Sequence, residues 1–352
     1  MKRILYYIGT YTQKTSKGIY GVYFDTESGE FSKPELFAEI PSPTYMVMNS
    51  KKTILYTVTE QPDRTRGKVA AFSIEPSTGK LSKINEVLAP GRGMCHISID
   101  STDSWLFTAS YPDATVQVYP ILDDGSVGDV ICVKEHEGKG PNPARQEKAH
   151  AHQVLLTPDE KYLCACDLGI DRVMVYKFDR ETGRLEQDEE KTLKLPDGCG
   201  PRHMIFNPVR KMAYILSELS SQVFTASYHP DHGFKVLQIL NTLLNPNMPS
   251  DAAAIRISTD NRFLYASNRG EDSLALFSID EKTGLLRHLS NTEAGGKHPR
   301  DFIVTDNHLL CANRDTDNII VFQISKSDGS LKPVKEITGI SMPVNILEYH
   351  LV

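Results

Sequence analysis

Residues 144–185 read ARQEKAHAHQVLLTPDEKYLCACDLGIDRVMVYKFDRETGRL, and their pattern decides the fold. Three apolar runs, HQVLL, YLCACDL and RVMVYKF, are separated by TPDEK and by a short Gly-Ile-Asp step, and DRETG then turns the chain into a fourth. Short runs of β-branched and aromatic residues, bounded by Gly, Pro and Asp, read as strands joined by tight turns. No convincing helical periodicity accompanies them.

The segment is one copy of a unit that fills the chain. Its DRETGRL turn recurs as DTESGEF, EPSTGKL, LDDGSV, HPDHGF, DEKTGLL and KSDGSL. The glycines fall at 29, 79, 125, 183, 233, 284 and 329, spaced by 50, 46, 58, 50, 51 and 45 residues. Ahead of these turns lie GIYGVYF, KVAAFSI, TVQVYPI, RVMVYKF, SLALFSI and NIIVFQI, with QVFTASY as the weakest copy. Before those come strands such as ILYTVTE, WLFTASY, MAYILSE and FLYASNR, and before those TYMVM, CHISI, HMIF, AAIRI and DFIV.

Four antiparallel strands repeated seven times predict an all-β fold, a seven-bladed β-propeller that forms a single domain over residues 1–352. WD40 repeats are shorter, about 40–45 residues, and carry a Trp-Asp signature that a chain with one Trp cannot supply. The chain begins on a second strand, RILYYIGTY, and ends on a lone first strand, PVNILEYHL. Strands from both termini are therefore expected to complete one blade and close the ring.

Composition narrows the function. With 39 basic and 45 acidic side chains the net charge is −6, which gives no electrostatic footprint for nucleic acid. No apolar run approaches the roughly 18 residues of a membrane span, and Ile4–Ile8 is too short for the core of a signal peptide. Six cysteines without C-x-x-C spacing fit reduced, buried thiols in the cytoplasm. A monomer or weak oligomer without cofactor is expected.

Propeller geometry then sorts the polar residues. The start of each first strand and the end of each second strand share one rim of the central channel. That rim should carry Glu60, Tyr111, Asp167, Glu218, Arg269 and Arg314 from strand ends, and His96, His152, Arg202, His203, Asp251, Arg300 and Asp301 from strand starts. The longest repeat contains an insertion, EHEGKGPNPARQEKAH, which brings Arg145, Gln146 and His150 to the same rim and could wall a pocket. Arg202, Arg269, Arg300 and Arg314, joined by histidines where carboxylates are few, suit a small anionic ligand carrying phosphate or carboxylate. Arg202 and Glu218 could equally form a structural ion pair. His150 and His152 at i and i+2 of a strand could grip one metal, but the H-x-H-x-D-H pattern of metal-dependent lactonases is missing, and no metal is expected. Serine-elbow, phosphate-loop and dinucleotide fingerprints are also absent.

ARQEKAHAHQVLLTPDEKYLCACDLGIDRVMVYKFD, GPRHMIFNP, LYASNRGEDSLALFSID and HPRDFIV, together with YIGTYT near the start, resemble the lactonase family of seven-bladed propellers. This is the family of the bacterial propeller-type 6-phosphogluconolactonases; the fungal carboxy-muconate lactonizing enzymes are more distantly similar. The resemblance implies a carboxylic ester hydrolase that opens a sugar lactone in the pentose phosphate pathway. It carries a catalytic His, Arg, Glu and Arg onto His152 (or His150), Arg202, Glu218 and Arg269. Arg145, Gln146, His150, Asp167, His203, Arg300 and Arg314 remain as substrate-binding candidates, with Arg300 or Arg314 available for a phosphate and His152 and Glu218 as base and acid in either order. A cycloisomerase acting on a muconate-like dicarboxylate, and a non-catalytic ligand-binding propeller, are the competing readings.

Overall fold

A computed structural model of the chain describes residues 3–351, which form strands, turns and loops without a helix. The strands make seven antiparallel sheets, each a blade whose strands run outward from the central channel. Blade 1 takes its innermost strand from Pro343–His350 and its other three from Arg3–Thr10, Gly18–Asp25 and Glu35–Glu39. The closing pair runs in register from Ile4 opposite His350 to Gly9 opposite Asn345, so both termini seal the ring as the repeat pattern requires.

The core lies in the seams between blades. Phe107, Val116, Val154 and Met174 pack between blades 3 and 4, and Tyr6, Ile346, Leu310 and Ile319 between blades 7 and 1. Each blade is therefore apolar on both faces, which explains why its inner strands read as nearly continuous apolar runs rather than as alternating ones.

The seven repeat glycines are all left-handed, with φ between 68° and 81°. A Cβ there would cost roughly 1–2 kcal/mol, which accounts for the residue that marks the repeat. Four of these turns are also latched to the preceding blade: the hydroxyls of Tyr7, Tyr56, Tyr214 and Tyr265 donate to the carbonyls of Gly79, Gly125, Gly284 and Gly329 at 2.7–2.9 Å.

QVFTASY, the faintest copy in the sequence, forms a full strand over Gln222–His229. In blade 4 the outer strand is broken into Leu185–Gln187 and Leu193–Lys194. From His136 onward the insertion before His150 carries no strand, and it lies on the rim where inner strands begin.

Candidate active site

The site is built by an irregularity that the blades share. Inner strands break register with their neighbours between Met94 and His96, Ala151 and Gln153, Pro201 and His203, and Pro299 and Asp301. The residue in excess is a β-bulge, which re-aims a side chain that would otherwise follow the pleat. Those residues are Cys95, His152, Arg202 and Arg300. A second ring comes from the residue following the last pair of each second strand, or ending that strand: Tyr11, Glu60, Tyr111, Glu218 and Arg269. Members of both rings line a cavity of about 470 Å³: Cys95, His152 and Arg300 from the bulges, and all five of the strand-end residues. Arg145 reaches in from the insertion.

Glu218 is the electrostatic centre. Its carboxylate is buried and meets Arg145, Arg202 Nε at 3.0 Å and Arg269 Nη2 at 2.8 Å. Burial alone would raise its pKa, but Arg269, Arg202 and Arg145 outweigh that and hold it far below the usual carboxylate range. Glu218 is therefore ionised at any working pH. Arg145 also reaches Asp251 at 3.3 Å, and Arg269 donates to the carbonyls of Asp251 and Ala252 at 3.2 and 2.8 Å. The guanidinium groups are thus fixed before any ligand arrives.

His152 stands opposite in character. It is buried, and burial together with Arg202 drives its pKa well below 6.5, so the ring is a neutral imidazole. Its Nδ1 has no protein partner. Cys95 donates its thiol to the His152 carbonyl at 3.2 Å, and burial pushes that thiol up to about 12, so it stays protonated.

The other expected residues separate. Arg202 does not line the cavity: it sits behind Glu218, donates to the Ala253 carbonyl and to His203 Nε2 at 3.2 Å, and burial with Arg300 and Arg269 pushes its pKa down to about 9. His203 lies deeper still, with its ring 5.2 Å from that of His152 and 5.8 Å from that of His96. Asp167 does not face the mouth. It pairs with Ala151 as Ser217 pairs with Pro201, so Leu168 rather than Asp167 occupies the place of Glu218. The Asp167 carboxylate instead accepts from His136 Nδ1 at 2.6 Å and from the amides of His150 and Gly169. Gln146 is fully buried, and its amide donates to the Leu168 carbonyl and Asp171, so it folds the insertion rather than meeting a ligand.

His150 precedes the strand that begins at Ala151, and it is not paired with His152 around a common point. Its ring stacks on Tyr111 at 4.3 Å and 9°, its Nδ1 donates to the Tyr111 carbonyl at 3.0 Å, and Nε2 reaches Glu147, so it props a wall of the cavity. Among the described residues no group of three His, Cys, Asp or Glu side chains is disposed to hold a metal. Arg314, at the strand-end position equivalent to Arg269, turns away onto Asp315 at 2.6 Å and His298. Asp301 is spent on Arg256 at 2.7 Å inside the channel. Cys95, Tyr11 and Thr44 were missed by reading rims as polar clusters. Aligning MCHISI, AHQVLL, PRHMIF and PRDFIV column by column would have found Cys95, because the second column is the bulge.

The cavity places a neutral imidazole beside fixed guanidinium donors, which is equipment for activating water and holding an oxyanion or carboxylate. Comparison with known proteins agrees with that chemistry. The chain is 36% identical over 356 residues to the 6-phosphogluconolactonase of Bacillus subtilis, covering all of both proteins. The Pseudomonas aeruginosa periplasmic gluconolactonase superposes with a TM-score of 0.95 at 30% identity, over 99% of this chain and 100% of that one. A candidate 6-phosphogluconolactonase of Bacteroides fragilis gives 0.91 at 32%, over 99% and 98%. The family described as Lactonase, 7-bladed beta-propeller, matches residues 5–348. Fold, cavity and sequence together mean that the chain belongs to the lactonase family of seven-bladed β-propellers.

Proposed function

We infer that the protein hydrolyses a phosphorylated sugar lactone, 6-phosphoglucono-δ-lactone, to the open acid. The observation that carries this reading is His152: a buried imidazole, neutral at physiological pH, facing a cavity that also holds Arg145 and Arg269. The name of the Bacillus relative supports the choice of lactone. The six cysteines of this chain, none of them in a disulfide among the described residues, support a reducing compartment, the cytoplasm.

In this mechanism His152 takes a proton from water as the oxygen attacks the lactone carbonyl carbon. Negative charge moves onto the carbonyl oxygen, where Arg269 and Arg145 stabilise it. As the tetrahedral intermediate collapses, the bond from the carbonyl carbon to the ring oxygen breaks, and protonated His152 returns its proton to the leaving alkoxide. Glu218 takes neither proton role: ionised, it has no proton to give, and three guanidinium groups lower its proton affinity too far for it to serve as base. It aims Arg145 and Arg269, and Arg202 braces it from behind.

The test is lactone opening in a coupled assay that generates the substrate in situ. The protein should exceed the spontaneous rate, and Glu218→Gln and Arg269→Ala should each lower kcat by about 100-fold, the scale of one lost oxyanion donor. Opening at the spontaneous rate refutes the reaction. Full activity in both variants refutes the site.

A further inference from the structure

The arginines of the mouth and channel are matched by carboxylates, with one exception. Arg145, Arg202 and Arg269 share Glu218, Arg256 has Asp301, and Arg314 has Asp315. Arg300 lines the cavity, and among the described residues no carboxylate lies within ion-pair distance of it. The inner strands of the two adjacent blades also break register, at Ala253 and at Val344, and neither residue offers a counter-charge. Arg300 is only partly buried and opens onto the cavity, so its charge is left for solvent or for an anion supplied by a ligand.

The surroundings specify the anion. The Arg300 guanidinium carbon lies 5.4 Å from the centroid of the Tyr11 ring, a cation–π contact that holds the planar group while leaving its donors free. Tyr11, Ser42 and Thr44 line the cavity with it; the Thr44 hydroxyl rests on the Met94 carbonyl at 3.3 Å and would turn from it to meet a ligand. A planar fork with hydroxyl donors matches a tetrahedral oxyanion. Arg300 belongs to blade 7 and His152 to blade 4, three steps apart in a ring of seven, so the two face each other across the channel. A lactone whose carbonyl sits at His152 would carry its far end to Arg300.

We propose that Arg300, with Tyr11 and Thr44, forms the receptor for the substrate's phosphate and sets the preference for phosphorylated over unphosphorylated lactones. The reacting end of this arrangement rests on the lactonase reading; the anion receptor does not. Arg314, already held by Asp315, takes no part.

The experiment compares wild type with Arg300→Gln and Arg300→Lys, using 6-phosphoglucono-δ-lactone and glucono-δ-lactone as substrates and the products 6-phosphogluconate and gluconate as calorimetric ligands. Wild type should favour the phosphorylated member of each pair. Arg300→Gln should lose about 30-fold or more in kcat/KM for the phosphorylated lactone, the worth of a charge-assisted hydrogen bond, and under about 3-fold for the other. Arg300→Lys, which keeps the charge without the fork, should fall between. Equal losses on both lactones, or wild-type binding that does not distinguish 6-phosphogluconate from gluconate, overturns the proposal. Because product binding needs no turnover, a wild type that opens neither lactone yet binds 6-phosphogluconate through Arg300 sinks the hydrolytic reading and leaves the receptor standing. Thermal unfolding of both variants shows that the fold is retained.

Discussion

At the scale of single residues, the site turns on two ionisable groups with opposite fates in one buried environment. Glu218 keeps its charge because three arginines surround it, and His152 is denied a charge by burial and by Arg202. The sign of the pH dependence follows. A base works in its neutral form, and the neutral fraction of His152 falls only as pH drops through a pKa well below 6.5. The profile of kcat/KM should therefore be flat through pH 6.5 and decline only on its far acid side, with no limb near the ordinary histidine value; a half-maximal point at 6.5 or above contradicts His152 as the base. Sequence alone left His152 and His150 side by side, and left acid and base interchangeable. Their type and spacing carry no record of the bulge that turns one ring into the cavity and stacks the other on Tyr111. Asp167 misled for a related reason: in the sequence it ends its strand as Glu218 does, but the pairing sets it one residue earlier, facing His136.

At the scale of elements, the blade separates stability from chemistry by rim. On the rim opposite the cavity, the left-handed glycine turns and tyrosine latches join successive blades. These were legible, because a glycine required by φ is kept wherever the turn is kept, and its period survives blurred strand sequences. On the working rim, bulges in equivalent inner strands present Cys95, His152, Arg202 and Arg300, three different chemistries from one backbone device. The device was legible only as a shared column of the aligned inner strands, since a bulge adds no characteristic residue type and its geometry shows only in the pairing. The division predicts that Tyr56→Phe, which removes the hydroxyl bonded to Gly125, destabilises the protein by about 1–2 kcal/mol by stranding a buried carbonyl. Lactone opening should be unchanged at temperatures where the variant is folded. Chemical denaturation paired with the lactone assay checks this, and a loss of activity without loss of stability would show that the two rims are coupled.

At the scale of the whole molecule, the ring encloses its polar groups as well as its apolar seams. His96, His152 and His203 come from three successive blades, are buried in the channel, and each leaves Nδ1 without a protein partner. Burial first, and Arg202 with it, holds all three well below the ordinary pKa of 6.5, with Arg256 adding to the effect at His96 and His203. The unfolded chain, whose histidines titrate normally, therefore binds protons that the folded ring refuses as pH falls below 6.5, and folding stability falls with pH in that window. Three such groups contribute about 4 kcal/mol per pH unit once the unfolded histidines are largely protonated, at about 1.4 kcal/mol each. For a chain of this length that is a fall in Tm of about 5 °C per unit. The Glu218 carboxylate, with its pKa depressed, adds a loss of its own only as pH falls below the ordinary carboxylate value of about 4.5, so the two windows are separable. Thermal unfolding from pH 7.5 to 5.0 should be level above about 7 and steepen below 6.5, and His96→Phe should reduce the steep slope by one histidine's share, about 1.4 kcal/mol per pH unit. A Tm that stays level to pH 5, or a slope that His96→Phe leaves intact, would mean that the folded channel accepts protons in this window, which overturns the buried neutral histidines as the source of the acid instability.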